Sequence, residues 1–467
     1  METKKYEKVP LVEAISKDDA KTKIKIFLNY VIPSIVAMWV FSIYTMVDGI
    51  FVANFVGPTA LASVNIAMPT INLIFALSLL LSTGASTIIA INFGKGNIKE
   101  ASEIFTINTA VLIIISICIT VMGLLNLNAL SLFLGATPST AGMIKDYLEI
   151  ILWFAIFFIV SYQFEVLVKT DGSPRLATIG VIISALTNVI LDYIFIAVWG
   201  WGIQGAALAT GISQVASTII FSAYFLSKKS KLSFMKIKFE HFKIAIYRRI
   251  IALGISDSLT ELSAGIIVFI FNQTILKIIG EQGIVTYTII SYANLLVLMT
   301  MIGIAQGMQP LVSYYFGKGD SKTYNYFFKL SIAMVAMCAL LIMYMSFFKT
   351  ENIVNAFIGQ GDMELFNYSV AAFRMFSTSF IIVGFNIVIS GFFVAVEKPF
   401  QAILISLSRG LFVLAISLGT MIMLMGERGI WISPCISEAV VLIISVVFYM
   451  NYKKTNSEFD QPRLQVK

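Results

Sequence analysis

Twelve apolar stretches, each long enough to cross a bilayer as a helix, leave this chain few folds to adopt. A crossing needs about 20 apolar residues. The stretches fall at 26–56, 60–92, 102–134, 143–169, 174–199, 202–227, 245–277, 284–316, 323–348, 366–396, 398–425 and 428–452. All are too long for membrane strands and none alternates strictly between apolar and polar residues, so helices are expected. Only 13% of the 467 residues are charged, against about 25% in soluble domains. The fold class is an all-α polytopic membrane protein.

Charge sorts by side. With loops assigned alternately, 27 of the 33 Lys and Arg residues share the side of the N-terminal segment, the 228–249 loop and the tail. Five lie on the other side, and Arg409 lies within a span. The positive-inside rule then places both termini in the cytoplasm. The net charge of +7 reads as topology with some contact to anionic lipid, and no nucleic-acid partner is expected. Cys118, Cys338 and Cys435 fall inside spans and read as small apolar residues, not as a disulfide set or metal site. The single histidine, His241, lies in a basic loop. No secretory signal is visible, because the first apolar run starts late and is too long for a cleaved one.

The chain is duplicated. A shift of 223 residues carries "FGKGN" (93–97) onto "FGKGD" (316–320), Gly57 onto Gly280 and Gly84 onto Gly307. With small gaps, Pro174 meets Pro399, and "GIQGAALATGIS" (202–213) meets "GIWISPCISEAV" (429–440). Each repeat has an even number of helices, so the repeats are parallel. Two six-helix lobes around a central cleft follow, the arrangement of a rocking transporter. The organisation reads as a cytoplasmic segment 1–25, a lobe 26–227, a basic linker 228–244, a lobe 245–452 and a cytoplasmic tail 453–467. "GKGN" and "GKGD" lack the GxxxxGK[ST] spacing of a phosphate loop. They read as helix-ending turns, so ATP is not the expected energy source.

One acid stands out. Asp48 is the only formal charge between Ile26 and Val56, and a carboxylate at such depth costs at least about 2.5 kcal/mol unless neutral or paired. At 1.5 Å per residue, Asp48 lies about 13 Å, Asp192 about 10 Å and Thr210 about 12 Å from the outer ends of spans 1, 5 and 6. Asn188 shares a helical face with Asp192, and Tyr44 one with Asp48. Two carboxylates, an amide oxygen and a hydroxyl suit a hard cation such as Na⁺. They suit a proton equally, since two carboxylates together in low dielectric cannot both stay ionised. Private capping of each group is the plainer alternative.

The second half lacks this cluster, with Phe271 and Leu418 near the equivalent places. Its buried charges are Arg409 and Glu438, which pair with each other or contact substrate. Glu261 and Glu165 lie nearer the cytoplasmic ends of spans 7 and 4. Gln163, Gln306 and Gln309 are further candidates for polar contact with substrate.

The stretches "YTMVDGIFVANFVG", "STGASTIIAINFGKGN", "TDGSPRLATIGVIISALTNVILDYIFI" and "GIQGAALATGIS" resemble first-lobe signatures of the multidrug and toxic-compound extrusion (MATE) family. "GIAQGMQPLVSYYFGKGD" and "GIWISPCISEAV" resemble second-lobe ones. The similarity is closest to the prokaryotic, DinF-like branch. It implies a cation site of Asp48, Asn188, Asp192 and Thr210 with Tyr44 beside them. The NorM-type branch implies a span-seven glutamate as well, but Glu261 falls about a turn early for that role, which leaves a second cation site in the C-terminal lobe doubtful.

The reading at this stage is a secondary antiporter in a prokaryotic cytoplasmic membrane, exporting amphipathic, often cationic organic compounds against H⁺ or Na⁺. It is expected to be a monomer in the lipid bilayer, without cofactor, and not an enzyme. A flippase for lipid-linked precursors is the rival within transport. It would want a strongly cationic cleft, and only Arg409 is basic at mid-span. An intramembrane enzyme would want a nucleophile with its base, or metal ligands, at depth. No His lies in a span and no HExxH spacing occurs. A fixed channel gives no reason for an internal duplication around an off-centre acid site.

Overall fold

The computed structural model describes residues 20–236, 243–358 and 362–459. Among the described residues there are twelve helices long and apolar enough to cross a membrane, and no strand. Spans 1 to 6 are Ala20–Val56, Pro58–Gly94, Ile98–Leu125, Ala141–Thr170, Pro174–Val198 and Gly202–Leu226. Spans 7 to 12 are Ile244–Ile278, Glu281–Gly317, Ser321–Phe348, Met363–Ala395, Pro399–Met425 and Glu427–Thr455. Each corresponds to one apolar stretch of the sequence. Most of the expected N-terminal segment, His241 and the end of the tail lie outside the described residues.

Two stretches that read as continuous are broken, both by short polar side chains. The 102–134 stretch leaves the helix at Asn126, whose amide Nδ2 donates to the Met122 carbonyl at 2.8 Å, and resumes as a short helix, Leu127–Phe133. The 366–396 stretch is interrupted between Ser377 and Phe380. There the hydroxyls of Ser377, Thr378 and Ser379 each donate to a carbonyl three residues back. Such local bonds compete with the helical ladder.

The spans assemble as two lobes. In the first, span 1 packs on 5, span 2 on 3 and 4, and span 6 on 4 and 5. In the second, span 8 packs on 9 and 10, span 7 on 11, and span 12 on 10 and 11.

The seam between lobes is built from glycines. A Cβ on Gly94 of span 2 would strike the Tyr314 carbonyl of span 8, and one on Gly317 would strike the Ile91 carbonyl. The 223-residue shift maps Gly94 onto Gly317 and Ile91 onto Tyr314, so the two contacts are one contact seen twice. Likewise, a Cβ on Gly84 would meet the Ile250 carbonyl and one on its counterpart Gly307 the Tyr30 carbonyl. Gly254 on Leu80 and Gly303 on Ile35 extend the seam. Small residues let membrane helices approach to backbone contact. All these residues lie in the halves of spans 1, 2, 7 and 8 nearest the end where span 1 begins. The lobes are therefore closed at that end. Further along, Trp39 Nε1 of span 1 donates to Thr300 Oγ1 of span 8 at 2.9 Å.

The first part of the linker is fastened to the N-terminal lobe. Asp171, in the turn after span 4, accepts the Tyr224 hydroxyl at 2.7 Å and the backbone amides of Lys231 and Leu232 at 3.1–3.2 Å. Burial raises its pKa above the ordinary carboxylate range, while these donors pull it down. The Met235 amide donates to Thr106 Oγ1 at 3.0 Å. Phe234 packs against Phe105 and Phe164.

Candidate functional site

The acids of the first lobe meet. Asp48 and Asp192, on spans 1 and 5, lie close enough for each carboxylate to sense the other. Asn188, one turn from Asp192 on the same face, donates Nδ2 to Thr210 Oγ1 of span 6 at 3.3 Å, and Thr210 donates to its own helix at the Ala206 carbonyl, 3.0 Å away. Asn188 and Asp192 are 0% exposed. Three spans thus bring the four residues together. Tyr44 lies in the field of Asp48, as does Tyr147 of span 4, which also senses Asp192. Nothing in the sequence marked Tyr147, because its place near the outer end of span 4 suits an ordinary interfacial tyrosine.

Both acids sit where the helix changes pitch. Span 1 closes with a π-helical turn, Val52–Val56, one turn after Asp48, and span 5 with another, Tyr193–Val198, directly after Asp192. The two π turns pack against each other. Such turns insert a residue into the helix and recur at functional sites.

The oxygens carry the chemistry. Asp48 Oδ1, Asn188 Oδ1 and both Asp192 carboxylate oxygens are buried and have no hydrogen-bond partner among the described residues. Buried acceptors are normally paired. Four acceptors that face no donor are a donor set for a cation, or for a proton shared between the carboxylates, and these residues fit either. The private-cap alternative accounts only for the Thr210 hydroxyl hydrogen.

In the second lobe the expected pair forms. Arg409 Nε donates to Glu438 Oε1 at 2.9 Å, and Asn386 Nδ2 to Glu438 Oε2 at 2.7 Å. Ser445 Oγ donates to Asn386 Oδ1 at 3.1 Å. Arg409 lies in a third π turn, Ser408–Phe412. Gln163 is fully buried inside the first lobe and donates to Thr109 at 3.0 Å. Gln306 and Gln309 line a small cavity between the lobes, together with Tyr162 and Lys169. Asp257 of span 7 lies beside Thr83 of span 2 across the same seam, where the Thr83 hydroxyl donates to the Leu79 carbonyl at 2.9 Å. The sequence carried its signal, an intramembrane acid one turn before Glu261 in "SDSLTELS".

A duplicated six-helix lobe, closed at one end and holding the donorless buried oxygens of Asp48, Asn188 and Asp192 in its first copy, defines a two-lobe membrane transporter architecture. The MatE family model matches residues 33–194 and again 258–421, once in each lobe. The chain belongs to the MATE family. The multidrug export protein MepA of Staphylococcus saprophyticus is 22% identical over 425 residues, which cover 90% of this chain and 92% of that protein. MepA of Staphylococcus aureus is 22% identical over 429 residues, 91% of this chain and 92% of that one. A solved outward-facing conformation of a multidrug resistance MATE family transporter of the MOP superfamily shares the fold with a TM-score of 0.89 at 21% identity, covering 96% of this chain and 99% of that chain. A MOP superfamily transporter from Pyrococcus furiosus, described as having a binding pocket of reverse polarity, has a TM-score of 0.83 at 22% identity, covering 91% and 95%.

Proposed function

We propose that the protein is a secondary multidrug antiporter that exports amphipathic, often cationic organic compounds in exchange for H⁺ or Na⁺. The observation that carries this reading is the set of four buried, donorless oxygens on Asp48, Asn188 and Asp192. Burying that much negative character is tolerable when a cation or proton occupies it. Binding and release at the junction of three spans then changes how span 1 packs on span 5.

The glycine seam closes one end, which supports access to the site from the opposite side. Rocking about the seam would transfer access. The excess of Lys and Arg in the loops at the closed end supports a cytoplasmic position for that end and for both termini in a prokaryotic cell. The one mid-span arginine is already held by Glu438, which leaves little free positive charge for a lipid diphosphate and favours export over flipping.

Ethidium efflux from proteoliposomes under separately imposed H⁺ and Na⁺ gradients tests the reading. Efflux should follow one of the gradients. Efflux indifferent to both would overturn it.

A further inference from the structure

Another polar cluster lies between the lobes, apart from the Asp48 site. Lys169, in the last turn of span 4, is 2% exposed. Its ammonium donates to Glu165 Oε1 at 2.7 Å and, across the seam, to Gln306 Oε1 of span 8 at 3.2 Å. Asp257 of span 7 lies beside Thr83, and Thr83 lines the same cavity as Lys169 and Gln306. Tyr162 also lines that cavity, 6% exposed, and its hydroxyl has no hydrogen-bond partner among the described residues. That hydroxyl lies in the field of three acids, Glu165, Asp257 and Glu261.

The charges are uneven. Of the three carboxylates from two lobes around Tyr162, Glu165 takes the ammonium's bond, and a buried phenol that could donate to a carboxylate is left without a partner. Excess acid in a low-dielectric seam attracts any positive group that can reach it. Tyr162 stacks edge-on with Phe75, ring centroids 4.8 Å apart, which adds aromatic surface suited to an organic cation. The glycine contacts Gly94 on Tyr314 and Gly317 on Ile91 lie nearer the closed end, and Gly303 on Ile35 and the Trp39–Thr300 bond lie further from it. The cluster therefore sits within the inter-lobe seam, at the level of the Gly84 and Gly254 contacts.

We propose that this cluster, as the seam opens, receives the positively charged group of an amphipathic organic cation, and that Lys169 is a tethered counter-charge which the substrate displaces from Glu165. The proposal rests on the export reading above and names where that substrate's charge is held. Between loads the lysine covers Glu165, and its bond to Gln306 ties the lobes together. A bound cation takes over the acids and frees that tie. Lys169 thus acts as an internal competitor that disfavours weak or uncharged ligands.

Ethidium binding to the full-length protein in lipid nanodiscs tests this, read by fluorescence titration. Lys169→Gln should bind ethidium about 10-fold more tightly, as expected when a close competing charge is removed. Lys169→Arg, which restores the tethered charge, should cancel the gain, and the Glu165→Gln/Lys169→Gln double variant should lose it. Thr300→Val breaks a different inter-lobe bond and should bind as the parent does. If Lys169→Gln does not fold, Asp257→Asn carries the test with Lys169 in place, and should weaken ethidium binding. Unchanged or weaker binding by a folded Lys169→Gln overturns the proposal. So does an equal gain in Thr300→Val, which would assign the effect to a looser seam. If the parent exports ethidium and Lys169→Gln shows no gain, this inference alone falls. If the parent neither binds nor exports ethidium, both it and the export reading fall.

Discussion

Gly94 and Gly317 are held against each other's helices by one contact used twice: Gly94 rests on the Tyr314 carbonyl and Gly317 on the Ile91 carbonyl. The duplication of the chain thus becomes a pseudo-two-fold seam, and this pair of contacts falls where "FGKG" ends spans 2 and 8.

A side chain at either position should force this end apart. Gly94→Val or Gly317→Val is expected to cost about 1–3 kcal/mol through overpacking, and to bias the protein towards the state open at this end. Cysteines placed near Ile91 and Tyr314 should become more reactive to a membrane-impermeant maleimide added from that side. Unchanged labelling would show that the seam is not the barrier.

Asn188 and Thr210 form a support rather than the charge. Asn188→Ala leaves the two acids in place but removes one acceptor oxygen, and a lost supporting group at an ion site costs about 10-fold in affinity. The concentration of coupling ion giving half-maximal efflux should therefore rise by that factor in Asn188→Ala. The maximal rate should fall less. A pure loss of maximal rate would argue that Asn188 serves the fold and not the ion.

Arg409 and Glu438 should behave as a structural pair. Their side chains keep 17% and 12% exposure, so Glu438→Gln is expected to cost about 2 kcal/mol, below the full penalty for stranding a buried charge. Arg409→Met with Glu438→Leu should recover most of that loss in a thermal melt. If the double variant melts normally yet fails to export, the pair contacts substrate after all.

Asp171 should set the order of the linker. Asp171→Asn replaces one accepting oxygen by a donor, so the amides of Lys231 and Leu232 lose part of their pairing. Hydrogen exchange at those two amides should accelerate, while exchange in the core of span 4 stays unchanged. Uniform acceleration across the lobe would instead indicate global loosening.

The sequence carried the architecture because span length, charge sidedness and repetition are linear properties. Twelve apolar runs and an aligned "FGKG" pair survive without coordinates. Asp48, Asp192, Asn188 and Thr210 were legible for a related reason: depth along a straight helix is counted in residues, and charge at depth is rare. Three kinds of feature were not legible. The π turns after Asp48 and Asp192 leave no mark in hydropathy. The breaks at Asn126 and at Ser377–Ser379 depend on hydroxyl and amide groups that could equally have faced outward. The cluster around Lys169 depends on which helices cross between lobes. Lys169 reads as one more basic residue at a helix end, and only the fold turns its ammonium inward to Glu165 and Gln306.

The central claim is that a cation or proton held by Asp48 and Asp192 drives export. Its most direct test is ethidium efflux from proteoliposomes carrying the parent, Asp48→Asn or Asp192→Asn, with H⁺ and Na⁺ gradients imposed one at a time. The account predicts that one gradient accelerates the parent and that neither variant responds to it. Gradient-driven efflux at the parental rate in both variants would contradict it.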